Sequence, residues 1–170
     1  MQSKKLDSDL FLLNATELAP LLLGKLLCVN IDNRICRVRI TETEAYFGEE
    51  DTACHAHKGR TNRTEMLYSK GGKVYVYLCY GIHALINIIS GPAEHPQGVL
   101  IRGVEGINGP GRLTKQLGIT CAFNGIDVNT SDVIWVEDDG FVPEKIHTSP
   151  RIGINYATQE YRDKLWRFYL

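Results

Sequence analysis

Residues 41–57 read T-E-T-E-A-Y-F-G-E-E-D-T-A-C-H-A-H and follow directly on the alternating run R-I-C-R-V-R-I at 34–40. Side chains in a β-strand alternate between two faces, so the pattern predicts one long strand with Glu42, Glu44 and Tyr46 on the same face. Two carboxylates and an aromatic ring on one face indicate a strand whose end lines a cleft. From this run alone, solvated charges on an edge strand are the competing interpretation.

Two hairpins are predicted on either side of this stretch. Residues 25–31 pair with the long strand through a turn at Asp32-Asn33, which are residue types that tight turns favour. Residues 73–89 form the second hairpin, which turns at Tyr80-Gly81. An exposed tyrosine at a turn is hard to explain by packing. The second hairpin therefore carries a candidate functional side chain at its tip.

The remaining elements are short and dispersed. A helix is predicted after Asn14 or Thr16, with Pro20 near its first turn, where a missing N–H group is tolerated. Residues 47–61 are predicted as a loop, 62–68 as a helical turn and 112–117 as a helix that begins after G-P-G. Further strands are predicted at 99–104, 134–137, 151–154 and 166–169. This pattern predicts an α+β fold with a mainly antiparallel sheet.

The composition is that of a single globular domain spanning residues 1–170, with 44% hydrophobic and 23% charged residues. The chain has no apolar stretch long enough to span a membrane, and its first ten residues lack a secretion signal. The odd number of cysteines favours reduced, mostly buried thiols in a cytosolic protein over a disulfide framework. These cysteines are Cys28, Cys36, Cys54, Cys79 and Cys121.

The net charge of −1 argues, taken alone, against a nucleic-acid-binding protein. The distribution of the charges is nevertheless uneven. Lysine and arginine dominate residues 58–73, whereas aspartate and glutamate gather in residues 127–139. Such an asymmetry permits a basic face for phosphates and an acidic face elsewhere.

Several motifs occur together in a specific order. They are E-T-E-A-Y at 42–46, Y-V-Y-L-C-Y-G-I-H at 75–83, V-L-I-R at 99–102, G-P-G-R-L at 109–113, R-I-G-I at 151–154 and W-R-F-Y at 166–169. In this order and spacing the chain resembles the alkyladenine (3-methyladenine) DNA glycosylase family over nearly its whole length. The resemblance implies one catalytic domain with a curved sheet, surrounding helices and a protruding β-hairpin.

The resemblance also implies catalytic roles. Glu44 matches the general base, which activates water for attack on the anomeric carbon of the damaged nucleotide. Arg102 matches the arginine that holds this water together with Glu44, and the backbone carbonyl of Ile152 matches a third contact to the water. Glu42 is expected to be a structural carboxylate on the same strand face. A solvent-exposed Glu44 without function is the alternative interpretation.

The base pocket implied by the resemblance consists of Tyr46, His55 and Tyr77, whose rings sandwich a flipped base. Stacking on aromatic rings tolerates different bases and favours electron-poor alkylated purines. Asn87 matches the pocket-floor asparagine that clashes with the exocyclic amine of guanine. Taken alone, Tyr77 reads as a core or surface aromatic residue, and Asn87 reads equally well as a hydrogen-bonded core amide.

DNA contacts are expected on the second hairpin and on nearby cations. Tyr80, with Ile82 and His83 beside it, matches the wedge that enters the minor groove when a base leaves the stack. The candidate phosphate contacts are Arg60, Arg63, Arg112 and Lys115. The G-P-G motif before two of them is also an ordinary way to begin a helix.

These features predict a monofunctional glycosylase, because no lysine lies within the catalytic motifs to attack the sugar. Its expected partner is double-stranded DNA carrying alkylated or deaminated purines: 3-methyladenine, 7-methylguanine, and further candidates hypoxanthine and ethenoadenine. We expect no cofactor and no metal, since H-A-H at 55–57 lacks ligand spacing and a fourth ligand. A monomer without membrane contact, in the cytoplasm (nucleoid) or nucleus, is expected.

Two other function classes remain open from the sequence. A non-catalytic nucleic-acid-binding domain can share this fold, but it has no need of a carboxylate close to phosphates. A hydrolase or transferase acting on small metabolites leaves the hairpin tyrosine and the basic segment unexplained.

Overall fold

The computed structural model describes residues 2–170, and one curved antiparallel sheet dominates it. Its strands are β1 (Lys4–Lys5), β2 (Leu26–Ile31), β3 (Arg34–Phe47), β4 (Val74–Cys79), β5 (His83–Ile89), β6 (Gln97–Val104), β7 (Ile107–Asn108), β8 (Ile134–Asp138), β9 (His147–Ser149) and β10 (Arg167–Tyr169). The α-helices are α1 (Ala15–Leu22), α2 (Pro110–Gln116) and α3 (Gln159–Asp163), and 3-10 turns lie at Ser8–Leu12, His55–Lys58, Glu65–Tyr68 and Cys121–Phe123. The predicted fold class is confirmed.

Strand β3 is the axis of the sheet, whose central order is β1-β8-β2-β3-β6-β5-β4. The first half of β3 pairs with β2, and its second half pairs with β6 on one edge and with β10 on the other. The pairing with β6 shifts register twice, on either side of Glu42. Such irregularities bend a strand and redirect side chains, and they are common beside active sites.

The two faces of β3 have different surroundings, as the alternating sequence predicts. Thr43 and Ala45 are fully buried on one face, where the Thr43 hydroxyl donates to the Ala19 carbonyl of α1 at 2.8 Å. The main core lies on this side and includes Leu18, Leu22 and Ile101, which are fully buried. Glu42, Glu44 and Tyr46 are on the opposite face, which is therefore free to form a polar site.

The β4–β5 hairpin has Tyr80 at its tip, as expected. Tyr80 and Gly81 both have positive φ angles, of 52° and 69°, which is the type I′ pattern. The Tyr80 side chain is 91% exposed and that of Ile82 is 73% exposed. Helix α2 contacts the hairpin close to its tip, because the Thr114 hydroxyl donates at 2.6 Å to the carbonyl of Ala84, which lies in the second residue pair from the turn.

Helix α1 begins one residue after Asn14, which is its N-cap and forms a capping box with Glu17. Because the first helical residue is Ala15, Pro20 lies in the second turn of the helix and not near its first, which corrects the prediction. Helix α2 includes Pro110 in its first turn, where the absent N–H group has no helical acceptor to lose.

Two other predictions are wrong. Residues 151–154 form bends, and the strand that pairs with β10 lies instead at β9. Gly153 has a φ of 75°, which does not fit an extended strand, and Arg151 is drawn into the interior. The five cysteines are free, but most are not buried, since Cys36 and Cys121 are exposed and Cys79 is half-buried. Cys36 lies on the part of β3 that pairs only with β2.

Within residues 2–170, no helix is both long and apolar enough to cross a membrane.

Candidate active site

Glu44 is the centre of the site. Its side chain is fully buried, and each carboxylate oxygen has one hydrogen-bond donor. The backbone N–H of Ile152 donates to Oε1 at 2.7 Å, and the Tyr46 hydroxyl donates to Oε2 at 2.8 Å. A carboxylate has about four lone-pair positions, so this arrangement fixes the orientation of the group and leaves acceptor capacity for a water molecule.

Burial raises the pKa of Glu44, because desolvation disfavours the charged form more than its neighbours stabilise it. The neighbours that oppose this shift are Arg102, the Ile152 N–H, the Tyr46 hydroxyl and Arg151. Burial, followed by the Glu44 charge, also raises the pKa of Tyr46, so its hydroxyl stays protonated and remains a donor to Glu44. A carboxylate with a raised pKa is a stronger base once it is ionised.

A chain of alternating charges extends from Glu44. The Arg102 Nη1 atom lies 3.7 Å from Glu44 Oε2, and Arg102 Nε donates to Glu42 Oε1 at 3.2 Å. Arg167 Nε donates to the same oxygen of Glu42 at 2.5 Å. The β3–β6 register passes from the pair Glu42–Gly103 to the pair Thr43–Ile101, so Arg102 is the residue that the register skips. This irregularity aims Arg102 at the two glutamates.

The candidate base pocket lies beside Glu44. It is lined by Tyr46, His55, Tyr77 and Asn87, all four of the predicted pocket residues, together with Ala53, Cys54, Leu67, Tyr75 and Tyr156. Asn87 is buried and its amide donates to the Tyr75 carbonyl at 3.2 Å across the β4–β5 pair. This hydrogen bond sets the orientation of the amide in the pocket wall.

The aromatic rings of the pocket pack against one another. The His55 and Tyr77 ring centroids are 4.4 Å apart with an interplanar angle of 68°, and the Tyr75 and Tyr77 centroids are 5.5 Å apart. The remaining cavity has a volume of about 40 Å³. That volume holds a few water molecules and is far too small for a purine.

The environment of His55 favours the neutral form of its imidazole. Burial lowers the pKa of its imidazole, and the charges of Arg63 and Lys58 lower it further. Its Nδ1 atom lies 3.2 Å from the Tyr75 hydroxyl. A neutral ring does not repel a cationic purine, so it suits a pocket for alkylated bases.

A groove of about 430 Å³ adjoins the pocket and shares Ala53, Cys54, His55 and Tyr156 with it. Lys58 and Arg63 contribute positive charge to this groove, and both are exposed. Tyr156 is 68% exposed, and its hydroxyl donates to the Ala53 carbonyl at 2.8 Å. The groove therefore gives the pocket a basic entrance.

The predicted phosphate contacts differ in their surroundings. Arg60 is bound by two carboxylates, those of Glu65 at 2.8 Å and Glu94 at 2.6 Å, so a phosphate has to displace both. Arg63 lies 5.8 Å from the Tyr77 ring centroid and makes a long contact of 3.4 Å with the Leu78 carbonyl. Arg112 and Lys115 are exposed on α2. Across residues 2–170, neither of these two forms a salt bridge.

A buried ion pair supports the site from behind. Arg151 and Asp51 are both fully buried and approach to 2.6 Å. The Arg151 guanidinium carbon lies 4.7 Å from the Tyr46 ring centroid and 5.0 Å from that of Trp166. Arg151 thus fixes the Tyr46 ring and anchors the segment whose next N–H group, that of Ile152, donates to Glu44.

No cluster of three or more His, Cys, Asp or Glu side chains within residues 2–170 has the arrangement of a metal site.

The chain is similar to known proteins over most of its length. The family described as "Methylpurine-DNA glycosylase (MPG)" matches residues 9–108 and 105–170 of the chain. The chain belongs to the methylpurine-DNA glycosylase family. The resemblance seen in its motifs is confirmed, and the protein is an enzyme of the DNA glycosylase class.

Relatives named "Putative 3-methyladenine DNA glycosylase" occur in several bacteria. The relative from Borreliella afzelii is 44% identical, over 97% of this chain and 95% of its own length. The relative from Psychrobacter cryohalolentis is 45% identical, over 80% of this chain and 78% of its own length. That from Clostridium perfringens strain SM101 is 40% identical, over 98% and 95%.

Sequence reasoning missed part of the site of this methylpurine-DNA glycosylase family member. Tyr75 precedes Tyr77 by two residues on the same strand, so period-2 alternation was sufficient to place both rings on one face. The roles of Arg151 and Arg167 were not recognised, although both lie in motifs that carry the family resemblance. Asp51 and Tyr156 had no pattern around them that distinguished them from loop residues.

Proposed function

We propose that this protein is a monofunctional DNA glycosylase, a single catalytic domain that flips alkylated purines out of duplex DNA and hydrolyses their N-glycosidic bonds. The observation that carries the proposal is the wholly buried Glu44, oriented by two hydrogen bonds and adjacent to an aromatic pocket. Hydrolytic removal of a flipped base needs a carboxylate and a stacking pocket at one place. The names of the relatives support 3-methyladenine as a substrate.

In the proposed reaction, Glu44 accepts a proton from a water molecule whose oxygen attacks the anomeric carbon. The bond between this carbon and the purine nitrogen breaks, and its electron pair leaves with the base. A cationic base such as 3-methyladenine or 7-methylguanine leaves as a neutral molecule without further protonation. The negative charge of Glu44 stabilises the oxocarbenium-like transition state.

Arg102 and the Ile152 segment orient the water in this proposal. The predicted contact of Ile152 is its carbonyl, whereas the hydrogen bond seen in the structure is made by its N–H group to Glu44. Both contacts can operate together, because the N–H group and the carbonyl of Ile152 are separate groups, one a donor to the carboxylate and the other an acceptor for the water.

The pocket rings Tyr46, His55 and Tyr77 stack on the flipped base, and Asn87 disfavours bases that carry the exocyclic amine of guanine. 7-Methylguanine also carries this amine, and the weak glycosidic bond of the cationic base offsets the penalty. Such a pocket also accepts hypoxanthine and ethenoadenine, which extend the proposed substrate range to deaminated and etheno-bridged purines. Tyr80, flanked by Ile82 and His83, fills the gap that the base leaves in the duplex. Arg63, Arg112 and Lys115 contact phosphates, and Arg60 joins them only by exchanging its carboxylate partners.

We further propose that the protein acts as a monomer on nucleoid DNA in the cytoplasm. The product is an abasic site without strand cleavage, since no lysine lines the candidate base pocket.

Base release from alkylated duplex DNA by the wild type and by Glu44→Gln tests the function. We expect the variant to lose roughly 10²–10⁴-fold in single-turnover rate, the usual contribution of a general base, and to keep its affinity for DNA containing an abasic analogue. A wild type that binds damaged DNA without releasing bases is a non-catalytic reader, and the proposal then fails. Strand cleavage that a lysine substitution abolishes contradicts the monofunctional mechanism.

A further inference from the structure

Arg167 has no role in the proposed chemistry so far, but several contacts hold its side chain in the site. Strand β10 pairs with β3 so that Arg167 lies opposite Glu44. Its Nη1 atom donates to the Ser149 hydroxyl on β9 at 3.0 Å, and its guanidinium carbon lies 4.4 Å from the Tyr169 ring centroid. The Tyr169 ring in turn stacks on His147 of β9. Side chains of β9 and β10 therefore fix the position of this guanidinium.

The decisive feature is one oxygen atom of Glu42. Both Arg167 Nε, at 2.5 Å, and Arg102 Nε, at 3.2 Å, donate to Glu42 Oε1. Arg102 therefore makes a single hydrogen bond to Glu42, although an arginine beside a free carboxylate prefers a two-point contact. Its Nη1 atom is left 3.7 Å from Glu44 Oε2.

We propose that Arg167 is a positioning residue of the glycosylase: by holding Glu42, it prevents Arg102 from closing a two-point contact on Glu42 and keeps the Arg102 guanidinium directed at Glu44. This inference rests on the proposed function of Glu44. Without Arg167, the Arg102 guanidinium turns towards Glu42, and Glu44 loses the cation that stabilises its ionised form.

The proposal predicts changes in the ionisation of Glu44, which several groups influence. The groups that face it are Glu42 and Tyr46 of β3, Tyr77 of β4, Arg102 of β6, Arg167 of β10, and Arg151, Tyr156 and the N–H group of Ile152 from the segment before α3. Among the side chains of residues 2–170, only that of Arg102 forms ion pairs with both Glu44 and Glu42, the carboxylate that Arg167 holds. Arg102 is therefore the group through which Arg167 acts.

The experiment measures the titration of the Glu44 carboxylate by carbon NMR in the protein without DNA, with the signal assigned by its loss in Glu44→Gln. We expect Arg167→Gln to move the Glu44 titration to higher pH and Arg167→Lys to restore most of the wild-type value. Ser149→Ala, which removes one hydrogen bond from Arg167, is a milder variant for the case that Arg167→Gln does not fold. Arg39→Gln is the matched control, because Arg39 is also paired to one carboxylate and is equally exposed.

Loss of the Arg167 charge also shifts the Glu44 titration directly through space. The effect of Arg167→Gln is therefore measured a second time in the protein that carries Arg102→Gln. If Arg167 acts through Arg102, the shift caused by Arg167→Gln disappears when Arg102→Gln is present. A shift of the same size in both backgrounds overturns the proposal, as does an unchanged titration in Arg167→Gln and Ser149→Ala.

Activity separates this inference from the function on which it rests. The acid limb of the single-turnover base-release rate should move to higher pH in Arg167→Gln, while DNA affinity changes little. If the wild type releases no base, the proposed function fails, but the NMR titration still decides whether Arg167 positions Arg102.

Discussion

Glu44 is placed where ionisation is unfavourable, and this has consequences for stability as well as for catalysis. Its pKa is raised by burial, so the folded protein binds the Glu44 proton more tightly than the unfolded chain does. The corresponding stabilisation is complete below the unfolded-state pKa and is lost as the pH rises through the folded-state pKa. Above the folded-state pKa the charged side chain therefore reduces the free energy of unfolding.

We expect Glu44→Gln to raise the melting temperature above that of the wild type at pH 8 and to lose this advantage as the pH is lowered through the Glu44 titration. The neutral amide keeps the acceptor for the Ile152 N–H without a buried charge. Thermal unfolding of both proteins between pH 4 and pH 9 checks this, with pH values chosen to bracket the carboxyl range of about 4 and above. A melting temperature below the wild type at all pH values contradicts the sign of the shift.

The Arg151–Asp51 pair is expected to respond differently, because neither partner is tolerated alone. Asp51→Asn leaves a buried guanidinium uncompensated and should cost about 3–5 kcal/mol of unfolding free energy. The Arg151 Nε atom already lacks a partner, so little spare hydrogen bonding is available to it. In Asp51→Asn combined with Arg151→Met, the loss should be smaller than the sum of the single losses. Urea unfolding of the four proteins gives the coupling.

At the scale of elements, the turn of the β4–β5 hairpin places Tyr80 in a backbone conformation that tyrosine does not favour. Tyr80 has a φ of 52°, and left-handed backbone costs a residue other than glycine about 1–2 kcal/mol. Asn-Gly is the usual sequence for this turn. A tyrosine in its place indicates that the ring itself is required at the tip.

Comparison of Tyr80→Gly with Tyr80→Ala separates the ring from the backbone. Both variants lack the ring that we propose as the wedge, and we expect both to release bases more slowly from paired lesions than the wild type. Only glycine relieves the strain, so Tyr80→Gly should be the more stable variant by about 1 kcal/mol. Chemical unfolding measures this difference, and equal stability of the two variants would show that the turn is not strained.

The same element shows how far sequence reasoning reaches. Alternation and the Tyr80-Gly81 turn predicted the hairpin and β3, because local pairing and burial determine both. Residues 151–154 look like a strand, but a tertiary contact, the burial of Arg151 against Asp51, determines their path. Strand β9 has the short polar sequence H-T-S and is stabilised by its pairing with β10. The local sequence therefore does not predict this strand. The ion chain from Arg167 to Glu44 likewise depends on a strand register that no motif contains.

At the scale of the whole molecule, the net charge of −1 means that DNA affinity has to come from a small number of local cations. Arg63 is free of carboxylates in the described part of the chain, whereas Arg60 is bound by two. Each phosphate contact contributes about 0.9 to the slope of log affinity against log salt.

We therefore expect Arg63→Gln to reduce the magnitude of this slope by about 0.9, the contribution of one phosphate contact, and Arg60→Gln to leave the slope nearly unchanged. Binding of abasic-analogue DNA at several salt concentrations measures the slope, with Arg39→Gln as the control for loss of a distant cation. An equal reduction in Arg60→Gln would mean that DNA displaces Glu65 and Glu94.

The close packing of the rings in the proposed base pocket affects the affinity for a flipped base. The cavity that remains between these rings has a volume of about 40 Å³, which is far too small for a purine. In the proposed base pocket the walls have to move apart before a base enters, and this pre-equilibrium weakens the apparent affinity for every base by the same factor, the fraction of molecules that are open. Opening then lowers the affinity for damaged and normal bases alike, and the expected preference for damage arises only among bases that have already entered.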